Sequence, residues 1–369
     1  MKIGIDARML GPKQGGIGRY IEQLIKQLTT LNQTHEFVIF LRKENWNLVN
    51  EAPNVKKVLA DIHWYGWREQ LLLSGIIKRE KVDSMHFPHW NIPLFYREPF
   101  VVTIHDLLLL HYPTRAASTL GPITYFFRSI AHKIILRHAI NNSKRILTPS
   151  EFTKNDISKN FKVDAKKNIV THLAPMPIDA PMADTDLKIK YNISKPYVLY
   201  VGVAYPHKNL EGLVEAWKIF CAEHGNDYQL VLVGRKNYFY ERLEKTAAGT
   251  NDIIFTGYVP DEDLSAFYKH ASLYIFPSFY EGFGLPPLEA MQYGVPVASS
   301  NAACLPEILQ QAAAYFDPRD PRDMADTIWR CLIDTDLRET LNKNGTQLIH
   351  NYSWQKTALA TLEVYNNVL

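Results

Sequence analysis

Glu281 and Glu289 stand eight positions apart in the run F-P-S-F-Y-E-G-F-G-L-P-P-L-E, which spans Phe276 to Glu289. Spacing alone carries no weight, because Glu36/Glu44 and Glu215/Glu223 share it. What distinguishes this pair is its setting. Leu273-Tyr274-Ile275-Phe276 is a short β-branched and aromatic run, the pattern of a buried strand. Pro277 and Ser278 stop it, Gly282 and Gly284 let the backbone turn, and Pro286-Pro287 can open a helix. This predicts Glu281 in a loop at a strand's carboxyl end and Glu289 in the first turns of the next helix. The N–H groups of Phe283, Gly284 and Leu285 then line an anion-friendly pocket. Two acceptor-only side chains beside such a pocket suit a ligand with many hydroxyls and a phosphate, as a nucleotide sugar has. The competing reading, carboxylates that only offset a helix dipole, leaves the two glycines and three prolines unexplained.

The run F-P-S-x-x-E-G-F-G-L-P-x-L-E-A resembles the E-x7-E signature of glycosyltransferase family 4, retaining enzymes of the GT-B fold. The likeness extends over nearly the whole chain. G-I-D-A-R, G-G-I-G-R-Y, T-I-H-D-L at 103–107 and T-P-S-E-F-T at 148–153 resemble the family's N-terminal half. K-N-L at 208–210, G-Y-V-P at 257–260 and L-P-E-I at 305–308 resemble its C-terminal half. The fold implied is α/β, with two Rossmann-like domains facing a cleft and a last helix crossing back to the N-terminal domain. The activity implied is sugar transfer, and within the family the likeness to bacterial surface-polysaccharide mannosyltransferases favours GDP-mannose as donor, with a UDP-sugar the alternative.

On that resemblance the site residues take roles. Glu281 binds donor-sugar hydroxyls and Glu289 the ribose. Lys208, after the first strand of the second domain, is a compact ammonium able to neutralise the leaving phosphate. The family usually carries an Arg just before this Lys, whereas this chain has His207, so His207, Arg235 or Arg19 must supply the second positive charge; Arg235, at a strand end, is preferred. The Asn301–Glu307 loop, through the amides of Ala303, Cys304 and Leu305, resembles the diphosphate-holding loop, although Ala302-Ala303 replaces the usual Gly or Ser. Tyr258 and Val259 flank the base. Gly15 and Gly16, in a G-G-I-G turn that does not complete G-x-G-x-x-G, face the diphosphate. His105 stands beside the donor sugar, and Arg19, His86, His89, Trp90 and Asp106 are placed on the acceptor side. No carboxylate pair of the kind retaining glycosidases use is evident near His105, which favours front-face attack. Other enzymes of the same fold, such as a sugar-nucleotide epimerase or a glycan phosphorylase, are the alternative reading, with a non-catalytic nucleotide-sugar-binding protein behind them.

Both halves must position these residues by alternating strands with helices, the pattern of parallel sheets covered on both faces. Lys2–Ile5, Phe37–Leu41, Met85–Phe87 and Val101–Ile104 read as strands of a first domain over 1–175. Arg19–Leu31 reads as a helix, with apolar residues at 21, 24, 25, 28 and 31. Tyr197–Val203, Leu230–Val233, Ile253–Thr256 and Leu273–Phe276 read as strands of a second domain over 197–351. A proline-rich stretch makes 176–196 the expected linker, and Tyr352-Ser353-Trp354 opens a helix over 352–369 expected to pack on the first domain.

A length of 369 residues suits two domains, and 46% hydrophobic with 21% charged residues is ordinary for a soluble protein. Three cysteines without ligand spacing fit reduced thiols in a cytoplasm. The start carries an early Asp6 and does not read as a secretory signal. Residues 1–175 hold 25 Lys and Arg against 14 Asp and Glu, a surplus of 11; the remainder holds 16 against 24, a deficit of 8. The surplus gathers at Arg128, Lys133, Arg137, Lys144 and Arg145, among Tyr125, Phe126, Phe127, Ile130, Ile134 and Ile135. Such a basic amphipathic segment either lies on an anionic membrane, in keeping with a glycan or polyprenyl-diphosphate-linked acceptor, or packs on a core with a solvated basic face. Nucleic acid is not expected as a partner. The D-x-D triplets Asp184/Asp186, Asp261/Asp263 and Asp334/Asp336 fall away from strand carboxyl ends, so no metal and no cofactor are expected.

Overall fold

Lys2–Asp6 forms a strand buried on both faces, with Ile3 and Ile5 on one and Gly4 and Asp6 on the other. The computed structural model describes residues 1–31, 34–112, 121–178, 187–250 and 252–368. The chain divides into two units, Met1–Leu173 with Ser353–Leu369, and Ala174–Tyr352.

The first unit is built on β1 (Lys2–Asp6), β2 (Glu36–Leu41), β3 (Val55–Leu59), β4 (Ser84–Phe87), β5 (Phe100–Thr103), β6 (Arg145–Thr148) and β7 (Asn168–Val170). Their order is β3-β2-β1-β4-β5-β6-β7, and every pairing is parallel. The second unit is built on β8 (Tyr197–Val201), β9 (Gln229–Val233), β10 (Ile253–Gly257), β11 (Leu273–Phe276), β12 (Val297–Ser300) and β13 (Ala313–Phe316). Their order is β10-β9-β8-β11-β12-β13, again all parallel. Each sheet reverses its winding once, between β1 and β4 and between β8 and β11. Ligands of such sheets bind outside the carboxyl ends of the strands at that reversal.

The first unit's core gathers Phe40, Phe87 and Phe100 around Met85 and Val102. Each fully buried large apolar side chain there contributes about 1.5–3 kcal/mol. The first helix, Gly15–Leu31, begins four residues before its expected start. A Cβ on Gly18 would lie 2.0 Å from the Gly11 carbonyl oxygen, so this glycine permits a close backbone approach inside a helix.

The basic segment is a helix, Pro122–Asn142, that divides its surface along its length. Ile135, Leu136, Ala139 and Ile140 are buried in the core, while Phe126, Phe127, Ile130 and Ile134 are exposed. Among the described residues no helix is long and apolar enough to cross a membrane.

The last helix, Trp354–Asn366, is capped by Ser353 Oγ, which accepts from the Lys356 amide at 3.2 Å. It belongs to the first unit. The Tyr365 hydroxyl meets His86 Nδ1 at 2.6 Å, and Thr357 Oγ1 donates to the His172 carbonyl at 2.6 Å. The expected linker 176–196 is corrected over its described later part. Leu187 and Ile193 are buried, and Lys190 and Tyr191 both bind Asp263 Oδ2 within the second unit. The proline-rich stretch from 179 on, with Asp184 and Asp186, lies outside the described residues.

Candidate active site

β11 ends at Phe276, and the following loop carries Glu281 out from the switch point of the second sheet. Gly284 then takes φ +96°, and the helix Leu285–Gln292 starts behind it. A Cβ there would meet the Leu305 Cδ2 methyl at 2.8 Å, which must shift to admit it, so the conformation is what demands glycine. Pro286 and Pro287 bring no N–H. Donors at this helix terminus are therefore concentrated on the 283–285 amides. Phe283 is buried, its ring edge-on to Tyr352 at 5.5 Å, which fixes the loop from behind.

β8 leads into the partner loop. A turn of 3-10 helix, Pro206–Lys208, sets Lys208 against the β11 loop, and its Nζ lies 2.6 Å from Glu281 Oε1. Both side chains are mostly buried, 18% and 13% exposed, and the ammonium also sits 5.7 Å from the Phe276 ring centroid. Two further bonds join the loops, and a third ties them to the segment after β13. The Phe279 amide donates to the His207 carbonyl at 2.8 Å, and Asn209 Nδ2 donates to the Pro277 and Pro318 carbonyls at 3.2 and 2.7 Å. Asn209 holds φ +58°, a left-handed conformation that Asn tolerates better than most residues. Sequence reasoning gave this residue no role. Its position between Lys208 and a helix start was the available signal.

Among the residues left open as Lys208's assistant, His207 is the least suited to carry charge in the absence of a ligand. It is buried, and burial, reinforced by the Lys208 charge, lowers its pKa to about 4, so it is neutral near pH 7. Arg235 is exposed in the loop after β9, the strand beside β8, with its guanidinium 5.0 Å from the Tyr258 ring centroid. Tyr258 itself is exposed and Val259 buried, after β10. Glu289 Oε2 accepts from the Tyr268 hydroxyl at 3.0 Å, which orients the carboxylate. After β12, Ala303 adopts φ +56°, an uncommon choice for alanine that marks strain where a glycine is easier. Cys304 and Leu305 are fully buried, and the Leu305 amide makes a 3.3 Å turn bond to the Ala302 carbonyl.

In the first unit, Gly15 and Gly16 are exposed in the first turn of the Gly15–Leu31 helix, at the carboxyl end of β1, and Arg19 follows half-buried. His105, just past β5, points Nε2 at the Pro88 carbonyl, 3.0 Å away. A carbonyl only accepts, so Nε2 carries the proton and Nδ1 remains an acceptor, suited to a sugar hydroxyl. Burial lowers this imidazole's pKa to about 4. Asp106 Oδ1 accepts from the Leu108 amide at 2.9 Å. The placing of His86 on the acceptor side is corrected. β4 is buried on both faces, and His86 is wholly inside, its two ring nitrogens bonded to the Tyr365 and Thr103 hydroxyls at 2.6 and 2.8 Å. Trp90 is buried and His89 half-buried in the loop that follows.

Sequence reasoning also missed a buried ion network. Arg8 grips Asp6 through Nε and Nη2 at 2.8 and 2.7 Å and reaches Glu69 Oε1 at 2.6 Å. Arg8 and Glu69 are almost wholly buried. Burial raises the Glu69 carboxyl above its usual pKa despite Arg8. An arginine directly after an apolar strand was the signal available. Of the D-x-D triplets, Asp263 is taken by Lys190 and Tyr191, and Asp334 caps a helix, its Oδ1 accepting from the Leu337 amide at 2.9 Å.

Residues 14–173 match the family described as Glycosyltransferase Family 4, and residues 184–348 match Glycosyl transferases group 1. The O-antigen chain mannosyltransferase B of Escherichia coli is 30% identical over 95% of this chain and 95% of its own. The O-antigen chain mannosyltransferase RfbU of Salmonella typhimurium is 26% identical over 76% of this chain and 74% of its own. Among solved structures, sucrose-phosphate synthase from Thermosynechococcus elongatus superposes with TM-score 0.74 at 20% identity, covering 100% of this chain and 98% of that one. HepE from Anabaena in complex with UDP and glucose superposes with TM-score 0.73 at 16% identity, covering 100% of both. The two Rossmann-like units and these likenesses define a glycosyltransferase of the GT-B fold. The chain belongs to glycosyltransferase family 4.

Proposed function

We propose that this enzyme transfers mannose from GDP-mannose to a glycan or polyprenyl-diphosphate-linked oligosaccharide, with retention of configuration and without a metal ion. The observation that carries the proposal is the Lys208–Glu281 pair at the switch point of the second sheet, beside the 283–285 amides. Glu281 keeps Oε2 for a donor-sugar hydroxyl while Oε1 holds Lys208. The ammonium, with Arg235 and the amides, neutralises the diphosphate as the C1–O bond breaks. The acceptor oxygen bonds to C1 on the same face, and its proton passes to the departing phosphate oxygen. Glu289, oriented by Tyr268, takes the ribose hydroxyls. Names of relatives that are O-antigen mannosyltransferases support mannose as the sugar.

The first unit carries the acceptor in this reading. Exposed Phe126, Phe127, Ile130 and Ile134, with Arg128, Lys133 and Arg137 on the same helix, support peripheral contact with anionic lipid. Vesicle flotation at low salt tests it, and indifference to anionic lipid removes that part.

Proton NMR of the protein with GDP-mannose, UDP-glucose and UDP-galactose, in EDTA, tests the chemistry. Release of mannose first as the donor's anomer is expected. Consumption of a UDP-sugar instead, or only after a divalent ion is added, overturns the donor or the metal statement respectively.

A further inference from the structure

The loops after β1 and β4 and the 62–69 segment are tied together by one carboxylate. Glu69 Oε1 takes Arg8, while Oε2 accepts from Asn91 Nδ2 at 2.7 Å and from the Tyr65 amide at 2.9 Å. Tyr65 is thereby held at φ +61°, an outlier for a bulky residue. Such strain persists only where the surroundings over-determine it, and here they fix one aromatic side chain.

That side chain completes a cluster. The Tyr65 ring centroid lies 6.0 Å from His89, 5.8 Å from Trp90 and 5.6 Å from His132. His132 is edge-on to Trp90 at 5.5 Å, and His89 is 4.8 Å from Trp90. Trp90 is buried at the back, the histidines are half-buried, and Tyr65 remains 38% exposed. Arg128 lies 5.9 Å from the Tyr65 centroid, and Asp106 is near enough to act on the phenol. The imidazoles are neutral near pH 7, since burial lowers both, His89 to about 3. Neutral imidazoles, Arg128 and the carboxylates of Asp106 and Glu69 give donors and acceptors without a surplus of positive charge, and an exposed aromatic ring offers a flat apolar face.

We propose that Tyr65, His89 and His132, backed by Trp90, form a subsite for an uncharged pyranose ring of the acceptor, with Glu69 as its positioning residue. The subsite deepens the reading that the first unit carries the acceptor, and it rests on that reading. A phosphate is the disfavoured occupant, because the Asp106 and Glu69 carboxylates offset Arg128.

Saturation-transfer NMR with the full chain and methyl α-D-mannopyranoside tests the subsite, with inorganic phosphate as competitor. Saturation of the sugar's ring protons is expected, weakened about tenfold in Tyr65→Gly, which keeps the backbone relaxed but removes the ring. Tyr65→Phe retains binding. Glu69→Gln, which keeps a carbonyl oxygen for the Tyr65 amide, binds better than Glu69→Ala, and the acceptor KM rises in the same order while the donor KM holds. Equal binding by wild type and Tyr65→Gly, or displacement by phosphate, overturns the proposal. Wild type that consumes no GDP-mannose yet shows Tyr65-dependent binding defeats the mannosyl-transfer reading and leaves the subsite standing.

Discussion

Replacing Lys208 with methionine separates the chemistry of the Lys208–Glu281 pair from its contribution to stability. Methionine keeps an unbranched stem against Phe276 but removes the ammonium 2.6 Å from Glu281 Oε1. Exposed pairs contribute about 0–1 kcal/mol, and orphaning a fully buried partner costs about 3–5. At 18% and 13% exposure the pair falls between, so the loss is about 2 kcal/mol. For a unit of this size that lowers Tm by roughly 4–8 °C. The chemical loss is larger, because a fixed donor facing charge that develops in the transition state is worth about 10²–10³ in kcat. The double variant Lys208→Met, Glu281→Gln removes the orphaned charge, so it recovers most of the lost Tm and none of the lost turnover. Thermal unfolding by circular dichroism and sugar release by NMR read the two quantities on the same samples. Turnover within about threefold of wild type in Lys208→Met, or turnover that returns together with Tm in the double variant, refutes the assignment.

Three other outcomes are expected. Gly284→Ala, at φ +96° and 2.8 Å from Leu305 Cδ2, destabilises by about 1–3 kcal/mol and slows turnover, measured by urea unfolding and the NMR assay. Asn209→Ala strands the Pro277 and Pro318 carbonyls at a left-handed position and costs about 2–3 kcal/mol, whereas Asn209→Gly restores the backbone part alone, as paired melts will show. The pKa values of His86, His105 and His207 are lowered from 6.5 to about 3, 4 and 4, so the unfolded chain binds more protons below pH 6.5. Their stability contribution is complete above pH 6.5 and is lost as pH falls toward 4, by up to about 1.4 kcal/mol per unit for each group; urea titrations at pH 7 and 5 should show it, with a shallower slope in His86→Gln.

The site was most legible where glycine and proline punctuate the chain. Leu273–Phe276 and the turn to Leu285 could be read residue by residue, because each special conformation demands a residue type. β3, β6, β7, β12 and β13 were missed, in β12, Val-Ala-Ser-Ser, and the three-residue β7 because small polar residues and a short run carry little β signal. The early start of the first helix was hidden by its glycines, which read as loop although Gly18 serves packing. His86 was misplaced because a strand buried on both faces turns a polar residue inward, and only its hydroxyl partners reveal why it is tolerated. The ties of Lys208 to Glu281, of Glu69 to Arg8 and of Asn209 to Pro318 span long sequence separations, and local pattern holds no trace of them.

The first unit is discontinuous in sequence, and that orders its assembly during synthesis. Residues up to Leu173 emerge well before Ser353–Leu369, separated by the whole of Ala174–Tyr352. At translation rates of about 5–20 residues per second that interval lasts roughly 10–35 s. During it the Tyr365 hydroxyl is absent from His86, and the His172 carbonyl lacks Thr357. All seven strands of the first sheet precede β8, so that sheet can pair while the helix that packs on it is still missing. Until Ser353–Leu369 emerges, the first unit lacks its last helix and stays open to chaperones and proteases, so that helix closes a unit left off at Leu173.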